Sequence, residues 1–257
     1  MRNLFVGVII AFCVLLAYRQ SFAEAPSGAS IIEKSFNRDD GKDSYSKIEM
    51  TLVDKQNNLR SRILEIYSKD FGDLTKTFLE FSKPADIKDT RFLSIEEKNA
   101  DNTQYLYLPA LGRARRIVSS QKNLAFVNTD YTYEDMQRRR PEKDAHKLIA
   151  EESLDGHSCF VVESIPRDGA SQYSKRISWI DKESYLVLRV DFYDKKVQKT
   201  KELRVKNFEI KQGIWTITQV EMENLKDQHK TLMKLLEINY NQGLVDDLFT
   251  VYRLEKQ

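Results

Sequence analysis

Histidine and cysteine side chains, which serve most often as metal ligands and nucleophiles, are scarce in this chain of 257 residues. His146, His157 and His229 stand among charged residues and lack the short spacing of a zinc site. Cys159 begins the apolar stretch CFVVESI, which is typical of a buried, inert thiol. The chain contains no nucleophile elbow, phosphate-binding loop or dinucleotide fingerprint. We therefore predict that the protein is not an enzyme and uses no metal or other cofactor.

Two arginine clusters are the other charged groups that could recognise a ligand, GRARR at residues 112–116 and QRRRP at residues 137–141. A run of charge is usually a solvated surface, but an arginine at a cavity mouth also binds phosphate, carboxylate or carbonyl groups. Between the clusters, residues 128–136 read NTDYTYEDM. We predict that the first cluster pairs with these acids and closes a lid, because exposed ion pairs of about 0 to 1 kcal/mol suit a gate that must open. The predicted gate comprises Arg113, Arg115, Arg116, Asp130, Tyr131, Tyr133, Glu134 and Asp135.

The first residues predict export. Residues 4–17 are apolar and uncharged, and the small residues Ser21 and Ala23 follow them, which is the pattern of a secretory signal peptide cleaved after Ala23. The run is shorter than the roughly 20 apolar residues of a membrane span; an uncleaved anchor is the alternative. We predict a signal peptide at residues 1–23 and a single domain at residues 24–257. Its one remaining cysteine cannot form an internal disulfide.

The charge balance argues against a nucleic-acid partner. Of the 41 lysines and arginines, Arg2 and Arg19 lie in the predicted signal peptide, so 39 basic residues face 39 acidic ones in the mature chain. A balanced chain lacks the positive field with which proteins bind phosphate backbones.

Period-two patterns dominate after a short helical segment at residues 30–36, for which Ser30 is the predicted N-cap. They predict about eleven or twelve strands joined by tight turns such as Asp155-Gly156 and Gln212-Gly213. This is a mainly β chain with an antiparallel sheet, closed or strongly curved, wet on one face and covered on the other. The few short helices cannot cover the apolar face of such a sheet. Either the sheet closes on itself, or an external apolar molecule completes its core. The predicted cavity-lining residues are Leu64, Ile66, Leu79, Phe81, Ile177, Trp179, Leu186, Leu188 and Phe192.

Five stretches in fixed order resemble the outer-membrane lipoprotein-sorting proteins of the LolA/LolB-like superfamily. They are KIEMTLVDKQNNLRSR, FSKPADIKDTRFL, YLYLPALGRARRI, DYTYEDM and DDLFTVYRLEK, and together they span nearly the whole mature chain. The resemblance is strongest to a branch that often accompanies lipid exporters of the resistance-nodulation-division (RND) type. It implies an unclosed antiparallel β-barrel of about eleven strands, with short helices as a lid over an apolar cavity for acyl chains.

The function that this resemblance implies is that of a monomeric periplasmic carrier. It would bind the acyl chains of a lipoprotein, or of a free lipid such as a hopanoid or phospholipid, for transport toward the outer membrane. An inner-membrane RND-type exporter and an outer-membrane acceptor are the implied partners. A periplasmic lipid- or lipoprotein-sensing regulator of the RseB type and a hydrolase of envelope lipids are the alternatives.

Overall fold

The computed structural model describes residues 25–256, so the predicted signal peptide lies outside the described residues. Two α-helices, α1 (Gly28–Phe36) and α2 (Val251–Glu255), flank thirteen strands. The strands are β1 (Asp43–Val53), β2 (Leu59–Phe71), β3 (Leu74–Lys83), β4 (Arg91–Ile95), β5 (Thr103–Leu108), β6 (Arg113–Arg116), β7 (Asp144–Leu154), β8 (His157–Pro166), β9 (Tyr173–Asp181), β10 (Val187–Asp194), β11 (Lys199–Lys211), β12 (Ile214–Asn224) and β13 (His229–Tyr240). Neither helix has the length and apolar composition needed to cross a membrane.

All thirteen strands form one antiparallel sheet, in the order β6-β5-β4-β3-β2-β1-β13-β12-β11-β10-β9-β8-β7. Strands β6 and β7 end the sheet and do not pair with each other, so it is an unclosed barrel. The predicted mainly β fold is confirmed, with thirteen strands in place of the eleven or twelve predicted from the sequence patterns. The additional strand is β6, which pairs with β5 through Arg115 and Leu106.

Tight turns join sequential strands where the sequence places glycine or asparagine. Gly156 and Gly213 adopt φ values of +88° and +84° between β7 and β8 and between β11 and β12. Such positive φ values cost a glycine little, whereas a Cβ atom would be strained there. The short connections keep neighbours in the chain adjacent in the sheet, except for β6 and β7, which lie at its two ends. The first and last strands of the chain, β1 and β13, pair with each other in the middle of the sheet.

The sheet curves around one apolar cluster on its concave face. This cluster joins Leu79 and Phe81 of β3 with Phe192 of β10, which lies six positions away in the strand order. Helix α1 lies on the same face and packs Ile31 against Phe160 and other apolar residues of β8 and β9. Its N-cap is Ser27, whose hydroxyl accepts a hydrogen bond from the Ser30 amide at 3.1 Å; the prediction of Ser30 as N-cap was therefore wrong by one turn.

The opposite, convex face of the sheet is also covered over β3, β4 and β5. The turn before α2, together with α2 itself, packs Phe249 and Leu254 onto Phe78, Leu93 and Tyr107. Phe78 and Leu79 are successive residues and point to opposite faces, and both are fully buried. The expectation of one wholly wet face was therefore wrong for this part of the sheet.

Candidate ligand-binding site

Residues 117–136 cross the concave face of β1–β5 and fill it with their own aromatic side chains. The Phe126 ring centroid lies 5.0 Å from that of Phe92 in an edge-on arrangement and 6.3 Å from that of Phe81 in a stacked one. Tyr131 and Tyr133 complete the layer. Leu79 beneath it is 1% exposed and Phe81 is not exposed at all. We call this part of the concave face, β1–β5 under residues 117–136, the filled half.

The concave face of β8–β12 is covered differently, and we call it the open half. A cavity of about 490 Å³ lies between these strands, α1 and residues 134–146. Its apolar wall consists of Ile32, Tyr131, Val187, Val190, Phe192, Leu203, Ile217, Val220 and Met222. The volume falls within the range of about 300 to 1,000 Å³ found for small-molecule sites.

The side chains of the open half are incompletely covered by protein. Val190, Leu203, Ile217 and Val220 are half-buried, although each occupies a core-facing position of its strand. Apolar surface held away from packing partners is an unusual feature for the interior of a sheet, since protein cores are normally packed to crystal density. The open half can therefore bury further apolar groups without displacing its own core.

Buried ion pairs hold the cover of this cavity in place. Arg176 of β9 donates to Glu134 at 2.7 Å, and Glu134 also accepts a hydrogen bond from the Gln172 amide at 2.9 Å. Arg139 binds both carboxylate oxygens of Asp144, at 2.5 and 2.9 Å. Because these groups are largely shielded from water, their removal would leave uncompensated charge.

A second polar contact fixes the cover to β9 and β11. Asp135 accepts hydrogen bonds from the Tyr173 hydroxyl at 2.9 Å and from Lys201 Nζ at 3.1 Å. Burial and the charge of Asp135 raise the pKa of Tyr173 well above its ordinary value, so the hydroxyl stays protonated and donates to the carboxylate.

The structure does not form the predicted gate between the first arginine cluster and the acids. Glu134 and Asp135 bind Arg176 and Lys201 as described, while Asp130 lies 2.7 Å from His229 Nδ1 and also accepts a hydrogen bond from Thr231. Arg113, Arg115 and Arg116 are exposed and make no ion pair among residues 25–256. The physical reason is that these arginines belong to the edge strand β6, which pairs with β5. The acids belong to the covering segment and contact β9, β11 and β13 instead.

The predicted cavity residues separate into three groups. Leu64, Ile66, Leu79 and Phe81 face the concave side, but they lie in the filled half beneath the aromatic layer. Phe192 lines the cavity. Ile177, Trp179, Leu186 and Leu188 do not line it.

The residues of the third group do not line the cavity for two reasons. Ile177 and Trp179 flank Ser178, which lines the cavity, so strand alternation turns them to the other face. There the Trp179 indole donates to Glu152 at 2.8 Å. A bulge between Val187 and Arg189 interrupts the alternation of β10. Leu186 and Leu188 therefore pack with Cys159 and Val205, in a cluster that contacts the wall residues Ile217 and Val220.

The residues of the wall that the sequence analysis missed carry only a partial signal. Val190 shares the phase of Phe192 and could have been found from it. Val187 is out of that phase because of the bulge that follows it. The wall residues on β11, β12 and α1 look like ordinary core positions in the sequence, and only the missing cover above them distinguishes them.

The histidines and the cysteine occupy separate places. His146 lies at the cavity edge between Ser164 Oγ at 2.8 Å and the Pro141 carbonyl at 2.7 Å. Burial raises the pKa of Cys159 to about 11, which disfavours the nucleophilic thiolate. Within residues 25–256, no three histidine, cysteine or acidic side chains are arranged to hold a metal ion.

Comparison with known proteins identifies the fold first. A LolA superfamily protein from Nitrosomonas europaea, 19% identical, superposes with a TM-score of 0.70 over 88% of this chain and 98% of that chain. The half-barrel described above is therefore a LolA-like fold. No curated protein matches the chain.

Two crystal structures and a family model then define the family. A DUF1329 family protein from Desulfovibrio piger is 31% identical, with a TM-score of 0.85 over 88% of this chain and 97% of that one. An outer membrane lipoprotein-sorting protein domain from Vibrio parahaemolyticus is also 31% identical, with a TM-score of 0.85 over 89% and 98% of the two chains. A model of a family described as "Uncharacterized protein" matches residues 73–256. The chain belongs to this DUF1329-like family, and the predicted resemblance to outer-membrane lipoprotein-sorting proteins is confirmed.

Proposed function

We propose that this protein is a periplasmic carrier that binds the acyl chains of a lipid or lipoprotein in the cavity of the open half. The observation that carries the proposal is the half-buried apolar wall around about 490 Å³ of space, in a family that includes a lipoprotein-sorting domain. An acyl chain would bury this wall and complete the core of the sheet. The similarity to a lipoprotein-sorting protein domain supports a carrier.

The energetics suit reversible transport. Each buried methylene contributes about 0.8 kcal/mol, so part of one chain gives useful affinity without irreversible capture. The chain has no nucleotide-binding loop, so release depends on an acceptor with higher affinity for the cargo. We propose an inner-membrane RND-type exporter as donor, an outer-membrane acceptor, and a monomeric carrier between them. We also propose that the signal peptide is cleaved after Ala23 on export, so N-terminal sequencing of the periplasmic protein should begin at Glu24.

Filling the cavity tests the proposal directly. Val220→Trp adds an indole to the cavity wall and should weaken binding of a fluorescent fatty acid about tenfold or more, because it displaces two or three methylenes. Ile165→Trp is the matched control, since Ile165 is exposed on β8 and does not line the cavity. Equal affinity of both variants and the wild type, measured by fluorescence titration, would remove the cavity as the binding site.

A further inference from the structure

A second, polar pocket of about 270 Å³ lies on the concave face at the other end of β1–β4. Its floor is a row of hydroxyl side chains that crosses four adjacent strands: Ser44, Ser68, Thr77 and Ser94. Register places each beside the next, as Ser44 opposite Ser68, Ser68 opposite Thr77, and Thr77 opposite Ser94. The space is much larger than that of one ordered water molecule.

Two buried polar side chains in this pocket have no hydrogen-bond partner among residues 25–256. Ser94 is 5% exposed and Asn102 is 6% exposed, and both line the pocket. The neighbouring hydroxyls of Ser68 and Thr77, by contrast, pair with each other at 3.1 Å. The Ser94 hydroxyl and the Asn102 amide are not fully enclosed by protein, so they are available to a polar ligand that enters the pocket.

The charged groups of the pocket offer both signs. Arg138 stacks over the Phe36 ring at 4.4 Å and donates to the Phe36 carbonyl at 2.9 Å. The Asp40 carboxylate lies 3.8 Å from the Arg138 guanidinium, and burial raises its pKa. Asp70 lies 3.9 Å from the same guanidinium. A site with hydroxyls, an amide, carboxylates, the two guanidinium groups of Arg38 and Arg138, and two lysine ammonium groups supplies donors and acceptors together, and hydroxyl groups are the ligand groups that use both.

We propose that this pocket binds a polyhydroxylated group, a sugar or polyol. Residues 136–140 separate it from the acyl cavity: Met136 and Arg138 line the polar pocket, and Gln137 and Arg139 line the apolar one. An amphiphile with a polyhydroxylated head could therefore use both sides of one segment, and this extension to a lipid headgroup rests on the proposed carrier function. A free sugar would use the polar pocket alone.

Three probes distinguish these sources: methyl β-D-glucoside, octyl β-D-glucoside and 1-octanol. Their affinities are to be measured by titration calorimetry on the mature protein and on the variants Ser94→Ala and Asn102→Leu. If the pocket binds a lipid headgroup, the wild type should bind octyl glucoside about tenfold more tightly than octanol, because a tenfold difference in affinity corresponds to roughly one net hydrogen bond. Both variants should lose that difference. If the wild type binds methyl glucoside and both variants do not, the pocket is a site for a free sugar.

The stability of the variants separates a ligand group from a structural one. Because the Ser94 hydroxyl has no internal partner, Ser94→Ala should leave the melting temperature unchanged or raise it. If octanol binds while the sugar adds nothing, or if its contribution survives in both variants, the pocket proposal is overturned and the carrier stands. If octanol fails to bind but methyl glucoside binds through Ser94 and Asn102, the carrier proposal fails and the pocket stands.

Discussion

The filled half and the open half belong to one sheet and face the same way, yet they bury their apolar side chains by different means. In the filled half, Phe126, Tyr131 and Tyr133 close over side chains that are almost fully buried. In the open half, the cover is α1 and a charged segment that leaves Val190 and Leu203 half-buried. The size of the covering side chains therefore decides where a curved sheet packs a core and where it keeps space for a ligand.

Matched leucine truncations should give the largest difference between the halves. Leu79→Ala removes a side chain that is 1% exposed in the filled half, and we expect a loss of about 3 to 5 kcal/mol in the free energy of unfolding. Leu203→Ala removes the same atoms beside existing empty space, and we expect about 1 to 2 kcal/mol because few packing contacts are lost. Urea denaturation measures both. Equal losses would mean that the two halves are packed alike.

The next effect concerns the ion pairs that hold the cover of the open half. Arg176→Met leaves Glu134 buried without its cation, and we expect the unfolding free energy to fall by about 3 kcal/mol. Arg204→Met is the matched control because the Arg204–Asp155 pair, at 2.7 Å, is considerably more exposed, and it should cost less than about 1 kcal/mol. Similar costs for the two variants would show that the cover is not held by buried charge.

Cys159 reports on the apolar layer that adjoins the wall of the open half. Its pKa is raised to about 11 by burial, whereas an unfolded thiol ionises near about 8.5. The folded state thus favours the protonated thiol. The contribution of this thiol to the free energy of unfolding is fully present below about pH 8.5 and is lost as the pH rises toward about 11. In the mature protein, the free energy of unfolding of the wild type should therefore fall relative to that of Cys159→Ala as the pH rises over that window. Rapid labelling of the native thiol at pH 8 would instead show that this layer opens.

The smallest effect is expected at the edge strand. Arg115 and Arg116 are exposed and make no ion pair in the described part of the chain, so replacing both with alanine should change stability by less than about 0.5 kcal/mol. The rate of probe entry into the open half should also stay unchanged, since other residues hold its cover. Stopped-flow uptake at low and high salt checks this. Faster probe entry in the variant would instead support the gate predicted from the sequence.

The sequence was sufficient for the fold and for the concave phase of several strands, because alternation is a local property. Leu64, Leu79, Phe81 and Phe192 all face the side that alternation predicted. Strand β6 was not predicted because its four residues, RARR, contain a single apolar position and are too short to show a strand pattern. Its pairing with β5 makes it a strand.

The site could not be predicted to the same extent, because it depends on contacts between distant residues. Glu134 and Asp135 bind cations 42 and 66 residues further along the chain, and nothing nearby in the sequence identifies those partners. The bulge beside Leu188 reverses a phase that the sequence alone shows as regular. The cavity exists because no large side chain packs over Val190 and Val220. A pattern of apolar residues in the sequence does not show whether other side chains will cover them.

Photo-crosslinking with a fatty acid that carries a diazirine at the end of its acyl chain tests the central claim most directly. After irradiation of the mature protein and digestion, mass spectrometry locates the modified peptides. We expect crosslinks on β10, β11 and β12, at peptides that contain Val190, Leu203 and Val220, and their loss when Val220→Trp fills the cavity. Crosslinks confined to β2, β3 and β4, or a labelling pattern that Val220→Trp does not change, would contradict acyl-chain binding in the open half.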